Sequence, residues 1–283
     1  MSPALAMRTS PARRIFNVVM LGLTAVCAAL TVGALVFILG YLVYQGGSSI
    51  NVAFFTHLPT PVGEPGGGMA NALVGSAKLL ALAAMIGIPI GFMTGLYVAE
   101  FASPVPAFAL RYATDLVNGV PSIVIGLVAY TLVVLPMHHF STLAGGVALG
   151  IIMIPVTVRG TEEFLRGVPV SLREGSLALG AAKWVTLARV VVPAASRGIL
   201  TAALLGLARV AGETAPLLFT ALNNRFWSRG WLQPTASLPV MIYTYAIAPY
   251  DDWHRQAWAA GLVLLALVLV VNVGARVILQ RKT

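Results

Sequence analysis

Charged residues are scarce in this chain of 283 residues: Asp, Glu, Lys and Arg together make up 10% of it, whereas hydrophobic residues make up 58%. A soluble globular domain has about 25% charged residues. The composition therefore excludes a single water-soluble core and indicates a polytopic membrane protein. Cysteine is nearly absent as well, because Cys27 is the only one. An intrachain disulfide is excluded, and no Cys/His spacing indicates a metal site.

The motifs that bind ATP or carry out hydrolysis are also missing. There is no G-x-x-x-x-G-K-[ST] loop, and none of the three lysines (Lys78, Lys183 and Lys282) follows a glycine. Neither the G-x-S-x-G nucleophile elbow nor the H-E-x-x-H zinc motif occurs. We therefore expect a non-catalytic chain with no cofactor of its own. If the chain moves a solute uphill, a separate ATPase has to bind the ATP and Mg²⁺.

Six apolar stretches are long enough to cross a bilayer as helices, which takes about 20 residues each. They predict an all-α membrane domain over residues 18–279, between an N-terminal tail (residues 1–17) and a C-terminal tail (residues 280–283). We expect kinks at Gly87 and Pro89 in the second span and at Pro121 in the third. The predicted spans are Val18–Tyr44, Leu73–Val98, Leu116–Leu135, Thr142–Val158, Ala194–Leu222 and Ala257–Leu279.

The basic residues are distributed unevenly between the two sides of the membrane. Six spans place both termini on one side, and that side has thirteen Lys and Arg residues against three on the other. The positive-inside rule then predicts that both termini are cytoplasmic. A net charge of +9 would suggest nucleic acid as the partner of a soluble protein. We expect no nucleic-acid partner, because most of these charges lie in short loops and tails.

The two long loops on the opposite side differ in composition. Residues 45–71 are rich in Gly and Pro, whereas residues 223–256 contain three tryptophans, Trp227, Trp231 and Trp253. We interpret these tryptophans as an interfacial aromatic belt. The alternative is a contact surface for an external partner.

A polar module of about 20 residues lies between the fourth and fifth predicted spans. Its sequence is EGSLALGAAKWVTLARVVVP, Glu174–Pro193. It resembles the EAA loop of the permease subunits of bacterial ABC importers, which has a glutamate, a glycine six positions later, and an aliphatic–any–aliphatic–proline ending. It departs from that pattern at Gly175 and Ser176, where the family has two alanines. Glycine costs a helix about 1 kcal/mol relative to alanine, so we expect this turn to become ordered on docking.

The resemblance implies a mechanical role for this loop, which belongs to a cytoplasmic segment predicted over residues 159–193. A helix from Glu174 to about Trp184 would lie in a groove on an ATPase, and Pro193 would separate it sharply from the fifth span. The residues expected to couple to the ATPase are Glu174, Gly175, Ser176, Gly180, Ala181, Trp184 and Pro193.

Four further stretches carry a more specific resemblance. They are GGGMANALVGS (Gly66–Ser76), NGVPSIVIGL (Asn118–Leu127), PVTVRGTEEFLRGVP (Pro155–Pro169) and LARVAGETAPLLFT (Leu207–Thr220). They resemble the phosphate permease subunits of ABC importers, in particular the PstA family. The resemblance implies a six-helix type I importer permease fold, surrounded by lipid in the inner (plasma) membrane of a bacterial cell. It also implies phosphate as substrate and three partners: a second, homologous permease subunit, an ATPase dimer and an extracytoplasmic phosphate-binding protein.

Two ionisable residues lie within the fifth predicted span, where a charged side chain costs about 2.5–3.5 kcal/mol. Arg209 and Glu213 are four residues apart, so we expect them to share one helix face. We interpret Arg209 as a stopping point for an anion, because a guanidinium binds phosphate oxygens through two parallel hydrogen bonds. Glu213 would hold or release it. The alternative is a self-neutralising pair that fixes helix packing.

A second charged cluster lies at the cytoplasmic end of the fourth span. It consists of Arg159 and Glu162, with Glu163 and Arg166 beside them. Two interpretations stay open: an inner gate on the pathway, which the resemblance favours, and an ordinary solvated helix end.

The remaining polar residues have simpler interpretations. Lys78 is expected to reach the headgroups through its long stem, without a transport role. Arg111 and Asp115, four residues apart, are expected to form a local ion pair. His138 and His139 are expected to be solvated in a short outer loop.

Other functions are possible on the sequence alone. The companion phosphate permease, or a permease for another oxyanion such as molybdate or sulfate, would use Arg209 equally well. A secondary transporter or channel would need no docking module and would be expected to show inverted repeats. An intramembrane enzyme would need a nucleophile with its base, or a metal site, and the spans show neither.

Overall fold

The structure is a computed structural model that describes residues 11–61, 64 and 66–280, and its regular structure is helical throughout these residues. Most of the two predicted tails, including Arg8 and Lys282, lies outside them. Two π turns, over Tyr130–Val134 and Leu187–Val191, each join two consecutive α-helices. The helices are α1 (Pro11–Gly46), α2 (Val52–Thr56), α3 (Ala70–Glu100), α4 (Pro104–Gly119), α5 (Ser122–Ala129), α6 (Leu135–Met137), α7 (Thr142–Arg166), α8 (Val170–Ala178), α9 (Lys183–Thr186), α10 (Val192–Ala211), α11 (Ala215–Leu218), α12 (Leu238–Ala246) and α13 (Asp251–Gln280).

Five helical stretches among the described residues are long and apolar enough to cross a membrane. They are α1, α3, α7, the continuous stretch from α9 to α10, and α13. Each overlaps one of the predicted spans. α1 begins at Pro11, inside the region predicted as a tail, and α7 continues to Arg166, so the first part of the predicted cytoplasmic segment is helical.

The third predicted span, Leu116–Leu135, is wrong as a single helix. α4 and the stretch from α5 to α6 meet at an angle of 101°. The chain turns at Val120, which has an extended backbone, and at Pro121. Proline cannot donate a helical hydrogen bond, and the residue before it avoids the helical region. The kink predicted at Pro121 is therefore a full break.

The fifth predicted span also ends earlier than expected. α10 stops at Ala211, and Pro216 lies in the first turn of α11. In a continuous helix Pro216 would have to donate to the carbonyl of Gly212, and its ring would clash with that carbonyl. Leu222, with a φ of +58°, then turns the chain into the outer loop.

The centre of the fold is the contact between α3 and α7. A Cβ atom on Gly91 would lie 2.5 Å from the Cβ of Thr157, and one on Gly95 would lie 2.7 Å from the Cβ of Thr161. Small residues let the backbones of membrane helices approach closely in this way. α3 passes through Pro89 as one helix, so the kink expected there does not interrupt it.

The loop of residues 223–256, predicted to be an outer loop, contains α12 and the beginning of α13, and neither helix was predicted from the sequence. Trp253 is 9% exposed and stacks on Tyr245, with ring centroids 4.3 Å apart. Trp253 is therefore a core residue of this outer region and not a member of a lipid-facing belt. Trp227 and Trp231 are exposed. Burial raises the pKa of the Tyr245 phenol.

Side chains of α3 hold the outer loop in place. The amide of Asn71 donates to the carbonyl of Asn224 at 2.6 Å, and Nζ of Lys78 donates to the carbonyl of Ser228 at 2.7 Å. Lys78 was expected to reach the lipid headgroups, but its ammonium binds a carbonyl of this loop instead.

The first helix, α1, is attached to the rest of the chain mainly near its C-terminal end. Gly46 is its one buried residue, and a Cβ atom there would lie 2.7 Å from the carbonyl oxygen of Trp258. The ring of Tyr41 packs edge-on against Trp258 at 5.3 Å between centroids. Most of α1 therefore faces away from the other helices.

Candidate anion pathway and coupling segment

Glu162 lies at the centre of an ion-pair cluster on α7. Its side chain is 7% exposed and accepts a hydrogen bond from Nε of Arg111, on α4, at 2.7 Å. Nε of Arg166 lies 3.2 Å from the same carboxylate, and Nη1 of Arg159 lies 3.9 Å from Oε2. Oε2 itself is buried without a hydrogen-bond partner in the described part of the chain. One buried carboxylate thus faces three guanidinium groups.

Arg159 connects this cluster to Asp115 of α4. Its Nε donates to Oδ1 of Asp115 at 3.1 Å, and its Nη2 donates to Oδ2, so the pair is bidentate. The predicted local pair between Arg111 and Asp115 is wrong, because Arg111 pairs with Glu162 across the helix interface. The carboxylate of Glu162 is much more buried than that of Asp115, so its attraction for Arg111 is less screened by water.

The burial of Glu162 tests the interpretation of this cluster as a solvated helix end. A carboxylate at a solvated helix end stays in water, whereas Glu162 is 5% exposed and pairs with arginines of two helices. Buried charges in proteins are paired or neutralised. The cluster is therefore not an ordinary solvated helix end, and its role as an inner gate stays a prediction.

Arg209 lies in the last turn of α10 and is exposed. Its Nη1 donates to Oδ1 of Asn118, close to the end of α4, at 2.6 Å. The expectation that Arg209 and Glu213 share one helix face is wrong, because α10 ends at Ala211. The carboxylate of Glu213, which is partly buried, has no hydrogen bond or ion pair with any described residue.

The break after α4 and the break after α10 lie next to each other. A Cβ atom on Gly126 of α5 would lie 2.6 Å from the Cα of Pro216 in α11, so the two short helices beyond the breaks are in close contact. Irregular backbone within a membrane is tolerated where it is buried in protein or lines a cavity. The hydrogen bond between Arg209 and Asn118 joins the two helices that end at these breaks.

One face of α4 carries a partner for each of three residues: Glu162, Arg159 and Arg209. Arg111, Asp115 and Asn118 follow each other at intervals of four and three residues, which places them on one side of a helix. They contact Glu162, Arg159 and Arg209 respectively. Neither the role of Asn118 nor the hydrogen bonds from Arg159 to Asp115 were predicted from the sequence, although the helical spacing of the three polar residues was a visible signal.

The coupling segment, defined here as α8 and α9 with the turn between them, is not one helix. The predicted continuous helix from Glu174 to about Trp184 is wrong, because α8 ends at Ala178 and the chain turns at Gly180 with a φ of +81°. This left-handed conformation favours glycine, which accounts for a glycine six positions after Glu174. Gly175 lies within α8, so the turn that was expected to become ordered on docking is already helical.

Pro193 does not separate the coupling segment from α10. The helical stretch runs from Lys183 through the π turn into α10 and ends at Ala211. In an α-helix the ring of Pro193 would clash with the carbonyl of Arg189. Arg189 lies in the π turn, where the wider winding relieves that clash. The other π turn likewise precedes a proline, Pro136.

The predicted coupling residues lie mostly on the surface. Leu179 and Trp184 expose 90% and 69% of their area, which is unusual for large apolar side chains. Oγ of Ser176 lies 2.9 Å from Oγ1 of Thr186 and links α8 to α9. Of the predicted set, Glu174, Gly175, Gly180, Trp184 and Pro193 are exposed, whereas Ser176 and Ala181 are partly buried.

The described residues present no cluster suited to a metal. His138 and His139 are exposed in their loop, as predicted. Within residues 11–61, 64 and 66–280, no group of three or more His, Cys, Asp and Glu is placed to hold a metal ion.

Comparison with protein families assigns the chain to one of them. Residues 87–283, well over half of the chain, match the family described as "Binding-protein-dependent transport system inner membrane component". The chain belongs to this family. As a member of it, the chain is a multi-pass membrane protein, which agrees with the predicted polytopic organisation.

Individual relatives of this inner membrane component are named as phosphate permeases. A "Phosphate transport system permease protein PstA" of Yersinia pestis is 44% identical over 249 residues, covering 88% of this chain and 84% of the relative. The protein of that name from Haemophilus influenzae is 41% identical, covering 95% of this chain and 96% of the relative. A "Probable phosphate transport system permease protein PstA" of Methanocaldococcus jannaschii is 38% identical, with 76% of each covered.

Solved structures show that the inner membrane component has the fold of type I ABC importer permeases. A chain of the inward-facing MetNI methionine ABC transporter matches with a TM-score of 0.60 at 20% identity, covering 76% of this chain and 97% of that one. A chain of a bacterial ABC transporter involved in the import of the acidic polysaccharide alginate matches with a TM-score of 0.65 at 13% identity, covering 96% of this chain and 97% of that one. The predicted fold class is confirmed.

Proposed function

We propose that this chain is the permease subunit of an ATP-driven importer of inorganic phosphate and forms half of the translocation pathway with a companion permease. The names of relatives that are 38–44% identical support phosphate as the substrate. The observation that carries the pathway is the polar face of α4, which reaches from Arg209 at the adjoining helix breaks to the buried carboxylate of Glu162.

Arg209 is the binding group for the anion in this proposal. Its partner Asn118 contributes a neutral oxygen, so the positive charge is not offset by a carboxylate. The planar guanidinium can offer two parallel N–H groups to phosphate oxygens. The carboxylate of Glu213, just beyond the end of α10, repels the anion and favours its release when the two groups approach each other.

Arg159 forms the inner gate. In the structure it holds Asp115 of α4, while the unpartnered Oε2 of Glu162 lies 3.9 Å from its Nη1. If α4 moves away from α7, Arg159 loses Asp115 and turns to Glu162, so its charge is paired in both arrangements. Two discrete pairings of this kind suit a rigid-body switch between inward-facing and outward-facing states.

The energy that drives transport comes from partner chains. An ATPase dimer binds the ATP and Mg²⁺ and receives the exposed surface of the coupling segment, and an extracytoplasmic phosphate-binding protein delivers the substrate. This chain is then non-catalytic. Charge reversal in Glu174→Lys, on the exposed side of α8, is expected to lower both association with the ATPase and ATP-linked uptake. Unchanged association and uptake would contradict the docking.

The proposal is tested by phosphate uptake in cells that carry Arg209→Gln. Glutamine keeps hydrogen-bonding groups but removes the charge, so we expect uptake to fall by roughly tenfold or more, since a hydrogen bond to a charged group contributes about 1.5–3 kcal/mol. Arg14→Gln, the same substitution at an exposed arginine of α1, is the matched control and should leave uptake near the wild-type level.

Two further measurements make the result specific. The amount of assembled transporter in the membrane is compared between the variants, so that lost uptake is not mistaken for lost assembly. An excess of sulfate or molybdate should not compete with phosphate in the wild type. Normal uptake by Arg209→Gln would show that Arg209 is not part of the pathway. Strong competition by sulfate or molybdate would show that the chain is a permease for that anion.

A further inference from the structure

Glu100, the last residue of α3, forms a contact with the coupling segment that the proposed function does not use. Its side chain is 8% exposed and pairs with Arg173 of α8. Nη2 of Arg173 also donates to the carbonyl of Leu165, near the end of α7, at 2.6 Å. A single arginine of α8 is thus held by both helices of the central pair.

The second half of the coupling segment is attached to the same place. Nζ of Lys183, the first residue of α9, donates to the backbone carbonyl of Glu100 at 2.9 Å. The same ammonium lies 4.7 Å from the ring centroid of Phe101, a favourable cation–π distance. Glu100 therefore accepts from both halves of the segment, with its carboxylate on one side and its backbone carbonyl on the other.

These contacts differ in kind from the backbone connection to α10. That connection passes through the π turn of Leu187–Val191, and such turns are local irregularities that commonly occur at functional sites. The contacts at Glu100 combine a largely buried ion pair with charge-assisted hydrogen bonds, which are about twice as strong as neutral ones. The coupling segment is therefore attached twice: to α10 through the continuous helical backbone, and to α3 through the side-chain contacts at Glu100.

We infer that Glu100 is a positioning residue that fixes the coupling segment to the end of α3, so that a displacement of this segment moves α3 and α7 directly. α3 and α7 are in close backbone contact at Gly91 and Gly95, and packed interfaces of this kind move as one body. α7 carries Glu162, so the displacement reaches the ion-pair cluster. The inference rests on the proposed function, because it assumes that a partner ATPase displaces the coupling segment.

The test compares Glu100→Gln with wild type in the complete transporter in proteoliposomes, measuring ATP hydrolysis and phosphate uptake together. Glutamine removes the ion pair with Arg173 at nearly constant size. We expect uptake to fall roughly tenfold, as for other residues that transmit coupling, while ATP hydrolysis continues, so that more ATP is consumed per phosphate. Glu100→Asp should restore part of the uptake, and Glu64→Gln, at an exposed glutamate in the loop of residues 45–71, is the matched control.

An unchanged ratio of ATP to phosphate in Glu100→Gln would overturn the inference. The proposed function fails separately, if the wild-type transporter shows no ATP-dependent phosphate uptake.

A second measurement decides the matter if Glu100→Gln does not assemble. Phe101→Cys and Lys183→Cys are combined with Cys27→Ser, which leaves Glu100 and Arg173 in place, and a short cleavable cross-linker joins the two thiols. If the coupling segment and the end of α3 move together, the linked transporter keeps the uptake of the unlinked variant. Uptake that is lost on linking and returns on cleavage would show that they move apart and would overturn the inference.

Discussion

At the scale of single residues, the arginines on the polar face of the fold differ in how their charge is balanced. Arg111 pairs with the buried carboxylate of Glu162, and Arg159 pairs with Asp115. Arg209 has only the neutral amide oxygen of Asn118, and no salt bridge joins it to a carboxylate of the described residues. An amide accepts a hydrogen bond without neutralising the charge. Arg209 is therefore the arginine of this face that is best suited to hold a mobile anion.

Glu162 is expected to matter for stability, because it offsets several guanidinium groups. Replacing it by Gln leaves Arg111 and Arg166 without their carboxylate. Loss of one partner of a fully buried pair costs about 3–5 kcal/mol, but these arginines are 30% and 54% exposed. Because water screens exposed charges, we expect a loss of about 2 kcal/mol, measured as a lower Tm of the purified protein in detergent. Glu163→Gln at the next position is the control, and equal Tm values for the two variants would contradict the prediction.

At the scale of helices, the sequence predicts where spans exist better than where they end. Hydrophobic length is a local property, so five of the six spans are found close to the predicted places. The ends depend on single residues whose effect is set by the surroundings. At Pro121 the helix is interrupted completely, whereas Pro193 is accommodated by a π turn and Pro89 lies within an unbroken helix. Proline marks these positions in the sequence but does not reveal which outcome follows.

The residue types of the candidate site could be predicted from the sequence, but the pairs that these residues form could not. Spacing along the chain suggests Arg111 with Asp115, four residues away, and Arg209 with Glu213, also four residues away. Arg111 instead pairs with a carboxylate 51 residues away, and Glu213 lies beyond the end of its helix. Both differences arise from the packing of α4 against its neighbours and from the break at Gly212, which follow from tertiary structure.

The close contact of α3 with α7 makes a prediction for Gly91. In Gly91→Ala the added Cβ would lie 2.5 Å from the Cβ of Thr157, and overpacking of a dense interface costs about 1–3 kcal/mol. Alanine regains up to about 1 kcal/mol of helix propensity, so a net loss of stability is expected. Gly274→Ala in α13, where a Cβ meets no atom within 4 Å, is the matched control and should not lower the Tm. A Gly91→Ala protein as stable as the Gly274→Ala protein would contradict the close packing.

At the scale of the whole molecule, the chain has the surface of one part of a larger assembly. α1 exposes almost all of its 36 residues, and Gly46 is its one buried residue. Arg209 is also exposed, so an anion bound to it would be covered on one side only. A binding site that excludes water has to be closed by another chain. These surfaces support the proposal that a companion permease completes the pathway.

The charge distribution of the whole molecule leads to a topology that can be measured directly. If both termini and the coupling segment are cytoplasmic, Leu179 faces the cytoplasm and the outer loop with Phe226 faces outward. Both side chains are accessible, at 90% and 74% exposure. In a Cys27→Ser background, a membrane-impermeant maleimide applied to intact cells should label Phe226→Cys and not Leu179→Cys. Inside-out vesicles should give the reverse pattern. Labelling of Leu179→Cys in intact cells would show that the predicted orientation is reversed. The Glu162 cluster could then not be an inner gate.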